Sequence, residues 1–172
     1  MAMNVAYINP FLASTRSVFE TMVRAKLSLG APALKRAEDR LFKLYTVSAM
    51  IDLSGAVVGR VVVSFSPTVA YAVGGALAGR SFDRVDEDLM DALGEIANMI
   101  AGGAKTSMPQ GGNVQISTPR VIPAHAVTYP PGVPVIVLPF DTTAGRFVIE
   151  TAIRPADGAA PTQFSQAPLA AA

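Results

Sequence analysis

Two runs of alternating residues meet at Ser54 and Gly55, and they restrict this chain of 172 residues more than any other feature. Tyr45, Val47, Ala49, Ile51 and Leu53 fall on one side of the first run, and Val57, Val61, Val63 and Phe65 on one side of the second. Alternation with period two on both sides of a glycine turn predicts an antiparallel hairpin with one apolar face. Such a face has to be covered, so helices are expected to pack on it. With 51% hydrophobic and 16% charged residues, the chain has the means to build that core as one domain.

The rest of the chain supplies both kinds of element. Asn9 and Pro10 read as the cap and first position of a helix, and Phe11, Val18, Phe19, Met22 and Val23 recur behind them at helical spacing. A weak strand is expected within residues 26–35. Pro67 opens a short apolar helix that stops near Gly79. Beyond the glycines at 111 and 112, strands are expected over 114–122, 124–129, 133–140 and 146–154, the last two forming a second hairpin around DTTAG. In the final strand Phe147, Ile149 and Ile153 alternate with Arg146, Glu150 and Arg154, which predicts one wet face. The fold class is therefore α+β, with helices packed on a largely antiparallel sheet. A domain over residues 1–155 is expected, and the Ala/Pro-rich stretch 156–172 reads as a disordered tail.

Between Gly79 and Gly111 lies the most legible helix. Asp83, Asp86, Glu87 and Asp88 crowd its start, where the helix dipole favours negative charge. Leu89, Leu93, Ile96 and Ile100 form a core stripe, and Asp88, Asp91, Glu95, Asn98, Gly102 and Lys105 the opposite face. Glu95 and Asn98 are three residues apart, so their side chains are neighbours on the solvent side. Gly102 leaves a notch beside Asn98. Two readings of Gly102 and Gly103 stand: a partner approaches the backbone there, or the helix ends near Ala101 with glycine as its cap.

Several functions are excluded by what the chain lacks. A net charge of +1 gives no electrostatic case for nucleic acid or acidic lipid. Mean hydropathy is +0.39, but the longest apolar stretches, such as residues 69–77, fall short of the roughly 20 residues a bilayer requires. The start, MAMNVAYINP, has no signal-peptide pattern, so a soluble cytoplasmic protein is expected. Without cysteine there is no thiolate chemistry, and the lone His125 cannot assemble a multi-histidine metal site. His125 reads as structural, in a strand or strand end. No metal ligand set is expected.

Three separated segments, in order, carry a family resemblance over about residues 4–154. NVAYINPFLASTRSVFETM is similar to the opening helix of the CheX branch of the CheX/CheC chemotaxis phosphatases, and IDLSGAVVGRVVVSFSP to its central hairpin. DALGEIANMIAGGAK resembles the signature helix D-x-x-x-E-x-x-N, here Asp91, Glu95 and Asn98. The motif occurs once, since the first helix has Glu20 but Val23 where a second Asn would stand, as in single-site CheX proteins. The family pattern also places a proline well downstream of the Asn, for which Pro119 and Pro123 both qualify.

The resemblance implies a CheX-like phosphatase that hydrolyses the aspartyl phosphate of a CheY-like response-regulator receiver in two-component signalling. Glu95 and Asn98 would be its catalytic pair, with Asp91 and Gly102 on the partner-binding face. Asn98 would hold the attacking water; Glu95 would act as a base or meet the receiver's lysine, the contact the resemblance favours. This chain would need no cofactor, since Mg2+ is expected in the partner receiver. A homodimer formed through the sheets is implied as well. The competing reading is a catalytically silent CheX-like module that binds receivers or dimerises.

Overall fold

The computed structural model describes residues 5–36 and 44–156. Helix α1 (Val5–Val18) leads through a wide helical turn, Phe19–Val23, to two short strands, β1 (Ser28–Leu29) and β2 (Ala33–Leu34). The expected hairpin follows as β3 (Val47–Gly55) and β4 (Val57–Phe65), then helices α2 (Pro67–Ala78) and α3 (Glu87–Ser107). Strands β5 (Val114–Ile116), β6 (Arg120–Pro123), β7 (Ile136–Thr142) and β8 (Gly145–Pro155) follow. Every pairing among the described residues is antiparallel, in the order β1-β7-β8-β4-β3-β5, with β2 also on β7 and β6 also on β3.

The hairpin register follows from its turn. Gly55 holds φ at +94°, and a Cβ there would sit 2.1 Å from the Asn113 carbonyl oxygen, so only glycine fits. That turn sets Val47 opposite Phe65 and Ile51 opposite Val61, which puts the predicted apolar sets on one face. Helices α1, α2 and α3 cover that face, α1 and α2 each packing on α3. At the centre the Phe147 ring stacks on Phe19, Phe140 and Phe65, with centroids 4.7, 5.2 and 5.8 Å away.

Several expectations are corrected. Pro10 lies inside α1 instead of opening it. Burial of Tyr7 and Ile8 holds the turn ahead of it, which outweighs the backbone bond that proline cannot make. Asn9 caps nothing; its Oδ1 is buried without a hydrogen-bond partner. Met22, one of the apolar residues at helical spacing, is 40% exposed and lies in the wide turn beyond α1. The weak strand within 26–35 is two short strands on β7. The expected strand over 114–122 is split into β5 and β6. Residues 124–129 are not a strand: a single turn, Ala124–Ala126, carries the exposed His125.

The wet face expected of β8 holds at exposed Arg146 but fails at Glu150, which is only 3% exposed. Residues after β6 cross the outer face of the sheet as a strap and are pinned to it. Arg60 Nη1 donates to the Thr128 carbonyl at 2.8 Å, the Tyr129 hydroxyl donates to Glu150, and Lys35 Nζ pairs with the same carboxylate. Burial, and then the Glu150 carboxylate, push the Tyr129 hydroxyl far above its ordinary pKa, so it remains a donor. Under the strap Ser48 and Ser64 bond each other at 2.7 Å, and Val148 and Val137 are buried. Alternation reported the strand correctly but not the second layer over it. The expected tail lies outside the described residues, apart from Ala156, whose N–H bonds the Ala56 carbonyl.

Candidate active site

Helix α3 begins one residue after its cap. The Asp86 carboxylate accepts the Leu89 N–H at 2.9 Å, and that bond, aided by Arg80, holds its pKa below the usual carboxylate value. Arg80 also reaches Asp88 at 2.6 Å while its guanidinium lies 4.2 Å from the centre of the Phe82 ring. Of the acidic residues at this end, Asp86 and Asp88 are thus already engaged. Glu87 and Asp91 are exposed.

The predicted stripe is fully buried at Leu89, Leu93, Ile96 and Ile100. Ala92, Ala97, Ala101 and Ala104 extend it, so nearly half the helix circumference is sunk in the core. Opposite lie exposed Glu95 and half-buried Asn98, neighbours at i and i+3 with Cβ atoms about 5–6 Å apart. Among the described residues neither side chain has a hydrogen-bond or ionic partner. A carboxylate and an amide are therefore presented to solvent from a backbone that cannot shift without disturbing the core. They offer acceptors and two amide donors but no cation. No group of three or more metal-binding side chains occurs among the described residues.

Helix α3 does not end near Ala101, and the cap reading of the glycines is corrected: it continues to Ser107. The two glycines have different surroundings. At Gly103 a Cβ would come 2.4 Å from Ser14 Oγ, and that hydroxyl donates to the Ile100 carbonyl at 2.8 Å. Gly103 therefore serves the contact between α1 and α3. At Gly102 a Cβ would meet nothing within 4 Å, so the fold itself gives no reason for glycine there. Gly102→Ala is expected to stabilise the protein by up to about 1 kcal/mol, read as a higher midpoint in urea.

The sequence alone missed two neighbours, Ser14 and Arg80, and left a third, Pro119, undecided. Ser14 fixes α3 from 86 residues away and leaves no local signal. Arg80 had one, a cation just ahead of an acidic run that also contains Arg84. Pro119 was one of two choices, and the fold separates them: its ring lies 3.5 Å from where a Cβ on Gly94 would be, beside the turn that carries Glu95. Pro123 instead pairs with Val47 on β3. In the wide turn that follows α1, Glu20 is exposed and Val23 packs against the core, so this first helical segment presents no second carboxylate-amide pair.

The family model for the chemotaxis phosphatase CheX matches residues 47–141, which include the hairpin, α2 and all of α3. The chain belongs to the CheX family. Among its relatives, the CheY-P phosphatase CheX of Thermotoga maritima is 26% identical over 122 residues, spanning 70% of this chain and 77% of that protein. The crystal structure of a CheC-like superfamily protein from Shewanella sp. PV-4 has a TM-score of 0.78 at 30% identity, covering 88% of this chain and 99% of that one. A CheX–CheY–BeF3–Mg2+ complex from Borrelia burgdorferi contains a chain with a TM-score of 0.73 at 25% identity, again covering 88% and 99%. The three helices on an antiparallel sheet are thus the CheX/CheC-like fold. No helix among the described residues is long and apolar enough to cross a membrane.

Proposed function

We propose that this CheX protein hydrolyses the aspartyl phosphate of a CheY-like response-regulator receiver in the cytoplasm, with Asn98 placing the attacking water and Glu95 docking the receiver. The observation that carries this is the unpartnered Glu95 and Asn98 pair on the outward face of a helix whose other side is fully buried. Membership of the family, and a relative in complex with CheY, BeF3 and Mg2+, support a receiver as the partner.

An acyl phosphate is already activated, so its hydrolysis depends on positioning and charge neutralisation. The charge is neutralised by the receiver's Mg2+ and lysine, since Glu95 and Asn98 bring no cation. What this chain adds is geometry. The Asn98 amide accepts from a water with its oxygen and donates with its nitrogen, holding that water in line with phosphorus. Glu95, one turn earlier, pairs with the receiver lysine and sets the register. Asp91 extends the docking face toward the helix start. Open space at Gly102 lets the receiver approach the backbone beside Asn98, so Gly102→Ala should weaken receiver binding even as it stabilises the helix. The catalytic unit is residues 1–155, working as a homodimer joined at sheet edges.

Glu95→Ala should raise the receiver concentration needed for half-maximal turnover about tenfold or more, because a charge-assisted contact is worth about 1.5–3 kcal/mol. Steady-state phosphate release from a phosphorylated receiver, measured against free acetyl phosphate, tests the assignment. Release confined to the receiver is expected. Receiver binding without any release would instead mark a catalytically silent module.

A further inference from the structure

A second site lies away from Glu95 and Asn98. A half-enclosed cavity of about 510 Å³ opens where the start of α1 crosses the ends of β7 and β8, and no residue of α3 lines it. Its walls include Tyr7 and Ile8 from α1, Leu34 from β2, Ile136 from β7 and Ile153 from β8, with Thr151 among them. The volume falls within the range of small-molecule pockets, about 300–1,000 Å³.

The wall chemistry is specific. Thr151 pairs with Ile136 in the sheet and alternates with Glu150 and Ala152, so its side chain points to the helix side, into the cavity. It is 3% exposed, and among the described residues its hydroxyl has no hydrogen-bond partner. Among the described residues the one buried side-chain polar atom without a partner is Asn9 Oδ1, so the Thr151 hydroxyl is not sealed in the wall but open to the cavity, where a bound group can reach it. The charged residue on the lining, Arg154, donates to the Pro155 carbonyl at 3.1 Å. At the rim, Leu34 is 58% exposed on an edge strand of two residues. The cavity thus combines aliphatic and aromatic walls with a single unpartnered hydroxyl.

We infer that this cavity binds a small, mainly apolar molecule that carries one uncharged hydrogen-bonding group, seated on Thr151 Oγ1. Apolar burial supplies most of the affinity and the hydroxyl fixes orientation, the usual division of labour in such pockets. This assignment rests on the fold alone and stands whether or not the chain acts on a receiver.

N-phenyl-1-naphthylamine is a suitable probe: neutral, aromatic, with one N–H, and brighter in apolar surroundings. It would be titrated into the full-length protein, which contains no tryptophan to interfere. Saturable binding of one probe per chain is expected. Thr151→Val should weaken it roughly three- to tenfold, the effect of one lost hydrogen bond, while leaving the thermal midpoint unchanged or higher. Ala33→Phe, at an exposed wall position, should abolish saturable binding by filling the space. Receiver dephosphorylation measured on both variants separates this site from the α3 face: it should be unaltered. Unsaturable binding, equal or tighter binding by Thr151→Val, or indifference to Ala33→Phe would overturn the assignment. So would binding that appears only on dilution as chains dissociate, since a second copy would then be the occupant.

Discussion

Asn98→Ala is expected to slow phosphate release from a phosphorylated receiver by about a hundredfold or more, the scale of effect when a reacting group loses its placement. Stability should change by no more than about 0.5 kcal/mol, because the side chain is half outside and has no partner to lose. Receiver affinity should be nearly unchanged, since docking is assigned to Glu95. The measurement is single-turnover loss of phosphoreceiver at saturating enzyme, alongside a urea melt. Turnover preserved in Asn98→Ala would remove the water-positioning role. Loss of turnover together with several kcal/mol of stability would show instead that the amide supports the helix. Asn98→Asp is an instructive companion: it keeps the size and an acceptor but removes the amide donors and adds charge beside the phosphoryl group. It should be as slow as the alanine variant.

Phe147→Ala is expected to cost about 3–5 kcal/mol, the usual range for deleting a buried aromatic. For a domain with a total stability of about 5–15 kcal/mol, that is a large share. Phe147 sits on the central strand β8, opposite Phe65 on one side and Phe140 on the other, and Phe19 lies nearly parallel over it at 4.7 Å. Truncation therefore removes three ring contacts at once and leaves a hole that rings held by three separate elements cannot easily close. A fall of about 10 °C in the thermal midpoint corresponds to this loss. A cost under 1 kcal/mol would mean that the ring cluster is not the centre of the core. Phe147→Leu should recover much of the loss, because it restores apolar volume without the stacking.

The core and the helix face that carries Glu95 and Asn98 were legible in the sequence because they follow local periodicities. Val47, Ala49, Ile51 and Leu53 report a strand by alternation, and Leu89, Leu93, Ile96 and Ile100 report a helix by its 3.6-residue period. The face opposite the second stripe then has to be the wet one. The glycines were ambiguous for a physical reason. Glycine both ends helices and permits close approach, and only the position of Ser14 shows that Gly103 serves the second purpose. Pro119 and Pro123 were equivalent as letters and became different once β6 was laid on β3.

The opposite face of the sheet escaped the sequence for a related reason. Alternation predicts two faces but not what covers each. Arg146, Glu150 and Arg154 look alike in the pattern, yet only Glu150 meets Lys35 and Tyr129, residues 115 and 21 positions away. By itself, then, the sequence determined the α+β class, the antiparallel hairpin and the pairing of Glu95 with Asn98 on one exposed face, all consequences of spacing within single elements. Tertiary structure decided which glycine is packed and which is open, which carboxylate is buried, and that a cavity lies under α1. Those are contacts between elements far apart in the chain, and no local period encodes them.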